Sequence, residues 1–164
     1  MELLDDNFNR IHHHSAPVVY ASFLRRFAAS FIDGLILSIP ATIINSIFFA
    51  SSVFAFGDAE DSYNSFSFAK LIFLPSTFVW IALPWLYDAF LNSSDRRATF
   101  GKQAMGIHVT DMNGGKISFA RATGRHFAAY ISAMFILIGY LIQPFTAKRQ
   151  ALHDIIAETL VVKD

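Results

Sequence analysis

At 164 residues, with 54% hydrophobic side chains and only 16% charged ones, the chain is too apolar for an ordinary soluble domain, in which roughly a quarter of residues are charged. Basic and acidic side chains number 13 each, so the formal net charge is zero and no global field draws the protein to nucleic acid. The absence of cysteine excludes disulfides, thiolate nucleophiles and thiolate metal sites. An integral membrane protein is expected.

In chain order, residues 1–19 read as a polar tail on the cytoplasmic side. Glu2, Asp5 and Asp6, with no apolar stretch beside them, do not make a signal peptide. His12, His13 and His14 are adjacent and do not converge on one face as a ligand set does, so neither a metal nor a cofactor is expected.

Residues 27–50 form the first apolar segment, long enough to cross a bilayer. Pro40 is expected to kink it. Ser30, Gly34, Ser38 and Ala41 recur at spacings of three and four, a stripe that lets another helix approach. Two features set this segment apart: Asp33 lies well inside it, and Arg26 precedes Asp33 by two turns on the same face, about 10 Å away along the axis. Each must find its partner elsewhere. A carboxylate near the centre of a membrane helix costs about 2.5 to 3.5 kcal/mol on insertion scales and marks a site or a polar helix contact.

The following loop holds Asp58, Glu60 and Asp61 and no basic residue, whereas Arg10, Arg25 and Arg26 precede the first segment. The positive-inside rule then puts the amino terminus in the cytoplasm and this loop outside. The second segment, residues 69–91, returns inward through Pro75 and Pro84, with Trp85 and Tyr87 at belt positions and Asp88 near its cytoplasmic end. Opposed directions bring Asp33 and Asp88 to comparable depth, the geometry of a shared ion or proton site.

Residues 92–125 are the most basic stretch and are assigned to the cytoplasm. Within them Thr99 to Met105 reads as a short helix, and Ile107 to Asp111, the Asn113-Gly114-Gly115 turn and Lys116 to Phe119 read as a β-hairpin. Arg121 and Arg125, an i, i+4 pair, suit lipid phosphate or an acidic partner. Residues 127–145 are the third apolar segment. Lys148, Arg149 and a strand at Thr159 to Val162, which needs the hairpin as its partner, place the tail in the cytoplasm. The third segment must then re-enter, breaking near Gly139 or at Gln143-Pro144; three straight crossings with an external tail are the alternative. The fold class expected is an all-α membrane protein of three apolar helical segments with a small cytoplasmic β-hairpin or three-stranded sheet.

The motifs carry a resemblance. Arg26-Phe27-Ala28-Ala29 through Ile32-Asp33, Ala98-Thr99-Phe100-Gly101-Lys102 with Met105-Gly106-Ile107, Asp111 before Gly114-Gly115, and Arg149-Gln150 with Leu152-His153-Asp154 occur in order. From residue 20 to 164 the chain resembles the RDD family of small, mostly bacterial membrane proteins, named for an arginine and two aspartates. Carried over by position, these are Arg26, Asp33 and Asp154. The chain departs from the family pattern at Asn92, where members often carry an acid, and at Glu158, where they often carry glycine. The resemblance implies residence in the bacterial plasma membrane. Some members are linked to alkali-cation/proton exchange, and related domains occur in proteins that look like membrane adaptors.

Two functions are therefore carried forward. In the first, Asp33, with Asp88, alternately binds a proton or Na⁺, K⁺ or Li⁺, which requires a homo-oligomer or a membrane-protein partner to complete a path. In the second, Arg26, Asp33 and Asp154 form a buried polar latch in a non-transporting adaptor or assembly factor. Catalysis is not expected, because His153 and Asp154 diverge on a helix and no second carboxylate or histidine cluster accompanies them.

Overall fold

A computed structural model of the chain describes residues 18–56, 62–134 and 142–164. The histidine run, the acidic loop residues Asp58, Glu60 and Asp61, and Gly139 lie outside the described residues. Two long helices dominate: α1, Phe23–Phe56, with 34 residues, and α2, Ser62–Asn92, with 31. At 1.5 Å per residue they are about 51 and 46 Å long, well beyond the roughly 30 Å of a hydrocarbon core. Pro40, Pro75 and Pro84 lie inside these helices, and the helix continues through each. A proline removes one donor, and the neighbouring intrahelical bonds hold the turn.

By length and composition Phe23–Phe54 and Leu74–Asn92 qualify as membrane spans, and only 11% and 17% of their apolar windows are buried. Phe27, Phe31, Leu35, Ile39, Ile43 and Ile47 on α1, and Leu74, Phe78, Ile81, Leu86 and Phe90 on α2, all point outward. A soluble monomer does not sustain an apolar surface of this extent, whereas a bilayer solvates it.

After α2 come α3 (Phe100–Ala104), β1 (Ile107–Asp111), α4 (Phe119–Met134), a 3₁₀ turn (Gln143–Phe145), α5 (Leu152–Ile156) and β2 (Thr159–Lys163). β1 and β2 pair antiparallel, from Ile107 opposite Lys163 to Asp111 opposite Thr159. The third strand is not the one expected. Lys116 to Phe119 does not join the sheet: Asp111 folds the chain back on itself by accepting from the amides of Asn113 (2.8 Å) and Gly115 (2.7 Å). Ser118 then starts α4, its hydroxyl accepting from the Arg121 amide. The free edge of β2 is taken by the approach to α1 instead. Tyr20 bridges Val162, the Ala21 amide donates to the Val161 carbonyl and that of Lys163 to Val19. The two ends of the described chain therefore meet at the end of the helical hairpin where α1 begins and α2 finishes.

The third apolar segment also differs from expectation. α4 starts at Phe119 and carries Arg125 inward, and residues 135–141 lie outside the described residues, so a third span is not established. Gln143 is buried and donates to the Ala21 carbonyl at 3.3 Å, which puts the Gln143-Pro144 step beside the start of α1. The small-residue stripe divides in the same way. Ala41 is buried, whereas Ser30 and Gly34 face outward. Ala21, Ala29, Ala89, Ile107, Val109, Ile117, Ala122 and Val161 form the core beneath the hairpin, with Trp85 and Met105 packed against it.

Candidate functional site

The ionisable side chains of the spans collect at this same end, in two adjoining clusters. The first is built on Asp33. Thr99 adopts an extended backbone and caps α3; its hydroxyl donates to Asp33 Oδ2 at 2.6 Å. The amide of Gly101 donates to Asp33 Oδ1 at 2.7 Å, and the Tyr87 hydroxyl to the same oxygen at 2.6 Å. Tyr87 in turn accepts from the Phe100 amide at 3.1 Å. Both carboxylate oxygens are thus occupied by donors from α2 and from the first turn of α3, where free amides and the helix dipole favour a negative charge. Glycine is required at position 101: a Cβ there would overlap the Ala29 carbonyl oxygen and lie 2.8 Å from Asp33 Cγ.

The second cluster is built on Asp154, which is 0% exposed. Arg26 of α1 pairs with its Oδ2 and also donates to the Arg149 carbonyl at 2.7 Å. Arg125 of α4, 7% exposed, donates to Oδ1 from both Nε (2.9 Å) and Nη2 (2.8 Å). The Ala151 amide, at the start of α5, donates to Oδ2 at 3.2 Å. Burial alone pushes the Asp154 carboxyl up, but Arg125 and Arg26 together outweigh it and hold the group well below the usual carboxylate range. His153 is pushed down to about 4, first by burial and then by the positive charge of Arg125.

Asp88 joins the two clusters. Its Oδ1 accepts from Asn92 at 2.7 Å and faces Lys102 Nζ at 3.3 Å, while Oδ2 faces His126 Nδ1 at 3.6 Å and Arg125 at 4.0 Å. Asn92, fully buried, also accepts from Lys102 at 2.8 Å, so the amide does one task an acid there would do. Burial lowers the Lys102 ammonium pKa, and Asp88 works against that shift. Around this end, Arg26, Lys102 and Arg125 face Asp33, Asp88 and Asp154, three cations against three carboxylates.

Of the residues singled out in the sequence, Arg26 and Asp154 meet directly, whereas Asp33 and Asp88 rest on separate partner sets. Arg121 is exposed, but Arg125 is turned inward and does not form with it the outward pair the spacing suggests, because Asp154 and Asp88 claim it. Thr99, Gly101, Lys102 and His126 complete the site without a role assigned from the sequence, together with Tyr87, expected at the aromatic belt, and Asn92, noted only as a departure from the family pattern. Thr99, Gly101 and Lys102 stand in a motif of the resemblance, which is the signal that pointed to them.

The RDD family model matches residues 20–158. The chain is also similar to the uncharacterized protein YxaI of Bacillus subtilis (strain 168), 36% identical over 146 residues that cover 87% of this chain and 96% of the relative. No solved structure gives a significant match.

Proposed function

The chain belongs to the RDD family, and from that premise we propose that it is a multi-pass protein of the bacterial plasma membrane, amino terminus cytoplasmic, that serves as an adaptor rather than a carrier. In this reading Asp33, Arg26 and Asp154 are structural. They lock the helical hairpin to the β1–β2 body, which then presents a fixed surface to a second copy or to another membrane protein. The observation that carries it is the coordination of Asp33. Three donors already take up three of the roughly four acceptor sites of a carboxylate that an exchanger would have to leave open to a proton and a cation in turn. Asp154, clamped by two arginines, is equally committed.

Alkali-cation/proton exchange is the second reading, and the observation in its favour is Asp88. Its side chain, held by Asn92 and beside Lys102, Arg125 and His126, keeps 21% exposure where that of Asp154 keeps none, which leaves it within reach of water. Purified protein in proteoliposomes with an imposed pH gradient separates the two readings. The adaptor reading expects proton movement on addition of Na⁺, K⁺ or Li⁺ to equal that of empty vesicles. Cation-dependent movement that disappears in Asp88→Asn supports the exchanger and overturns the adaptor.

A further inference from the structure

Helix α4 is inside out. Its inward side carries Ala122, Arg125, Ala128 and Ser132, all buried, with the Ser132 hydroxyl spent on the Ala128 carbonyl at 2.9 Å. Its outward side carries Phe119, Phe127, Tyr130 and Ile131, each between 42% and 50% exposed. In a helix lying against water the charge would face out and the aromatics in. Here the arrangement is reversed over four turns: apart from Arg121 in the first turn, none of the exposed described residues of the helix, at 119, 120, 124, 127, 130 and 131, is charged.

The face is also continuous with a surface already assigned. Trp85 of α2 lies against Phe119 (6.5 Å between ring centroids) and Phe127 (5.8 Å) and donates its indole N–H to Thr123 at 3.2 Å. Next to it on α2, Ile81, Leu86 and Phe90 are among the outward residues of the second span. We infer that the Phe119–Phe127–Tyr130–Ile131 face of α4 is a lipid-binding surface seated among acyl chains, so that α4 is a third membrane-embedded element. Arg121, in the first turn and exposed, marks where the helix meets the headgroups. This arrangement explains why Arg125 must turn inward. A guanidinium on the lipid face would be unpaired in hydrocarbon, whereas inward it meets Asp154 and Asp88.

The inference rests on the membrane reading of α1 and α2, and its test keeps the two apart. The chain lacks cysteine, so single cysteines at Phe127→Cys, Ile131→Cys, Ile39→Cys on α1 and Asn113→Cys in the polar turn can be nitroxide-labelled in the full protein. The labelled proteins are reconstituted in phosphatidylcholine/phosphatidylglycerol vesicles. Collision with oxygen, which concentrates in acyl chains, is compared with collision with a water-soluble nickel chelate. Expected is a several-fold preference for oxygen at 127, 131 and 39, and for nickel at 113. Nickel preference at 127 and 131 beside oxygen preference at 39 overturns the inference alone. Low access to both reagents at 127 and 131, relieved by diluting the protein in lipid, means that a second copy covers the face and overturns it too. Nickel preference at 39 removes the membrane reading itself.

Discussion

Arg26 and Asp154, 128 positions apart in sequence, are joined by a charge-assisted hydrogen bond at the foot of the first span. The pair ties α1 to α5, and through α5 to β2, whose edge in turn holds residues 19–21. Because Asp154 is fully buried, removing Arg26 leaves it with Arg125 and the Ala151 amide but takes away the cation on Oδ2, at a cost somewhat below the about 3 to 5 kcal/mol of a fully uncompensated buried charge. Arg26→Ala is therefore expected to lower the thermal midpoint in detergent more than Arg121→Ala, whose exposed side chain contributes little. Arg26→Lys recovers only part of the loss, since an ammonium cannot serve Asp154 and the Arg149 carbonyl with the same fork. Equal midpoints for Arg26→Ala and Arg121→Ala would show that the pair adds no stability.

Acid should weaken the lock in a defined window. His153 is held near 4 in the folded protein, below the ordinary histidine value, so the unfolded chain binds the extra proton first as pH falls. Asp154 is likewise depressed, so its contribution is present above the unfolded carboxylate pKa and is lost as pH drops below it. Both effects have the same sign. Stability is expected to decline from about pH 6.5 downward, on the order of 3 kcal/mol of it from His153, and to fall further below about pH 4. Unfolding midpoints between about pH 2 and 8 check this, and His153→Gln should flatten the upper part of the decline. A profile unchanged by that substitution would exclude His153 as its source.

Glycine positions give a sharp contrast. Gly101→Ala drives a methyl group into the Ala29 carbonyl and the Asp33 carboxyl and should cost at least about 1 to 3 kcal/mol. Gly34→Ala, one residue beyond Asp33, meets nothing within 4 Å and should leave the midpoint unchanged or slightly raised. Comparable losses at both positions would mean that helix packing, and not the Asp33 cap, makes these residues matter.

How much of this was legible beforehand differs by interaction range. The two spans follow from hydropathy, and the strand at Thr159 was read within one residue of its observed end. The hairpin expected at Ile107 to Phe119 does not form, because Asn113-Gly114-Gly115 suits a turn in either setting. What decides is the Asp111 side chain competing for the turn amides, together with the cap at Ser118. Asp33 stands out in the sequence as a carboxylate inside the first span, but its donors Thr99 and Gly101 lie 66 and 68 positions away, beyond any periodicity. The inward turn of Arg125 did leave a trace, since Ala122, Ala128 and Ser132 share its helix face and small residues mark close packing.

Glu158 occupies the left-handed region, φ 51, just after α5, where glycine stops a helix without strain. Glu158→Gly is expected to raise stability by about 1 kcal/mol, read as a higher thermal midpoint. A lower midpoint would mean that the glutamate side chain contributes more than the strain it brings.

The central claim is that Asp33 holds the hairpin to α3 and is not an exchangeable site, and the thermal midpoint of Asp33→Asn in detergent at neutral pH tests it most directly. Asparagine presents an amide donor towards a set of donors, so at least one of Tyr87, Thr99 and Gly101 loses its acceptor. The account predicts a loss of about 1 to 3 kcal/mol, visible as a midpoint lower by several degrees. A midpoint equal to that of the unsubstituted protein would contradict it.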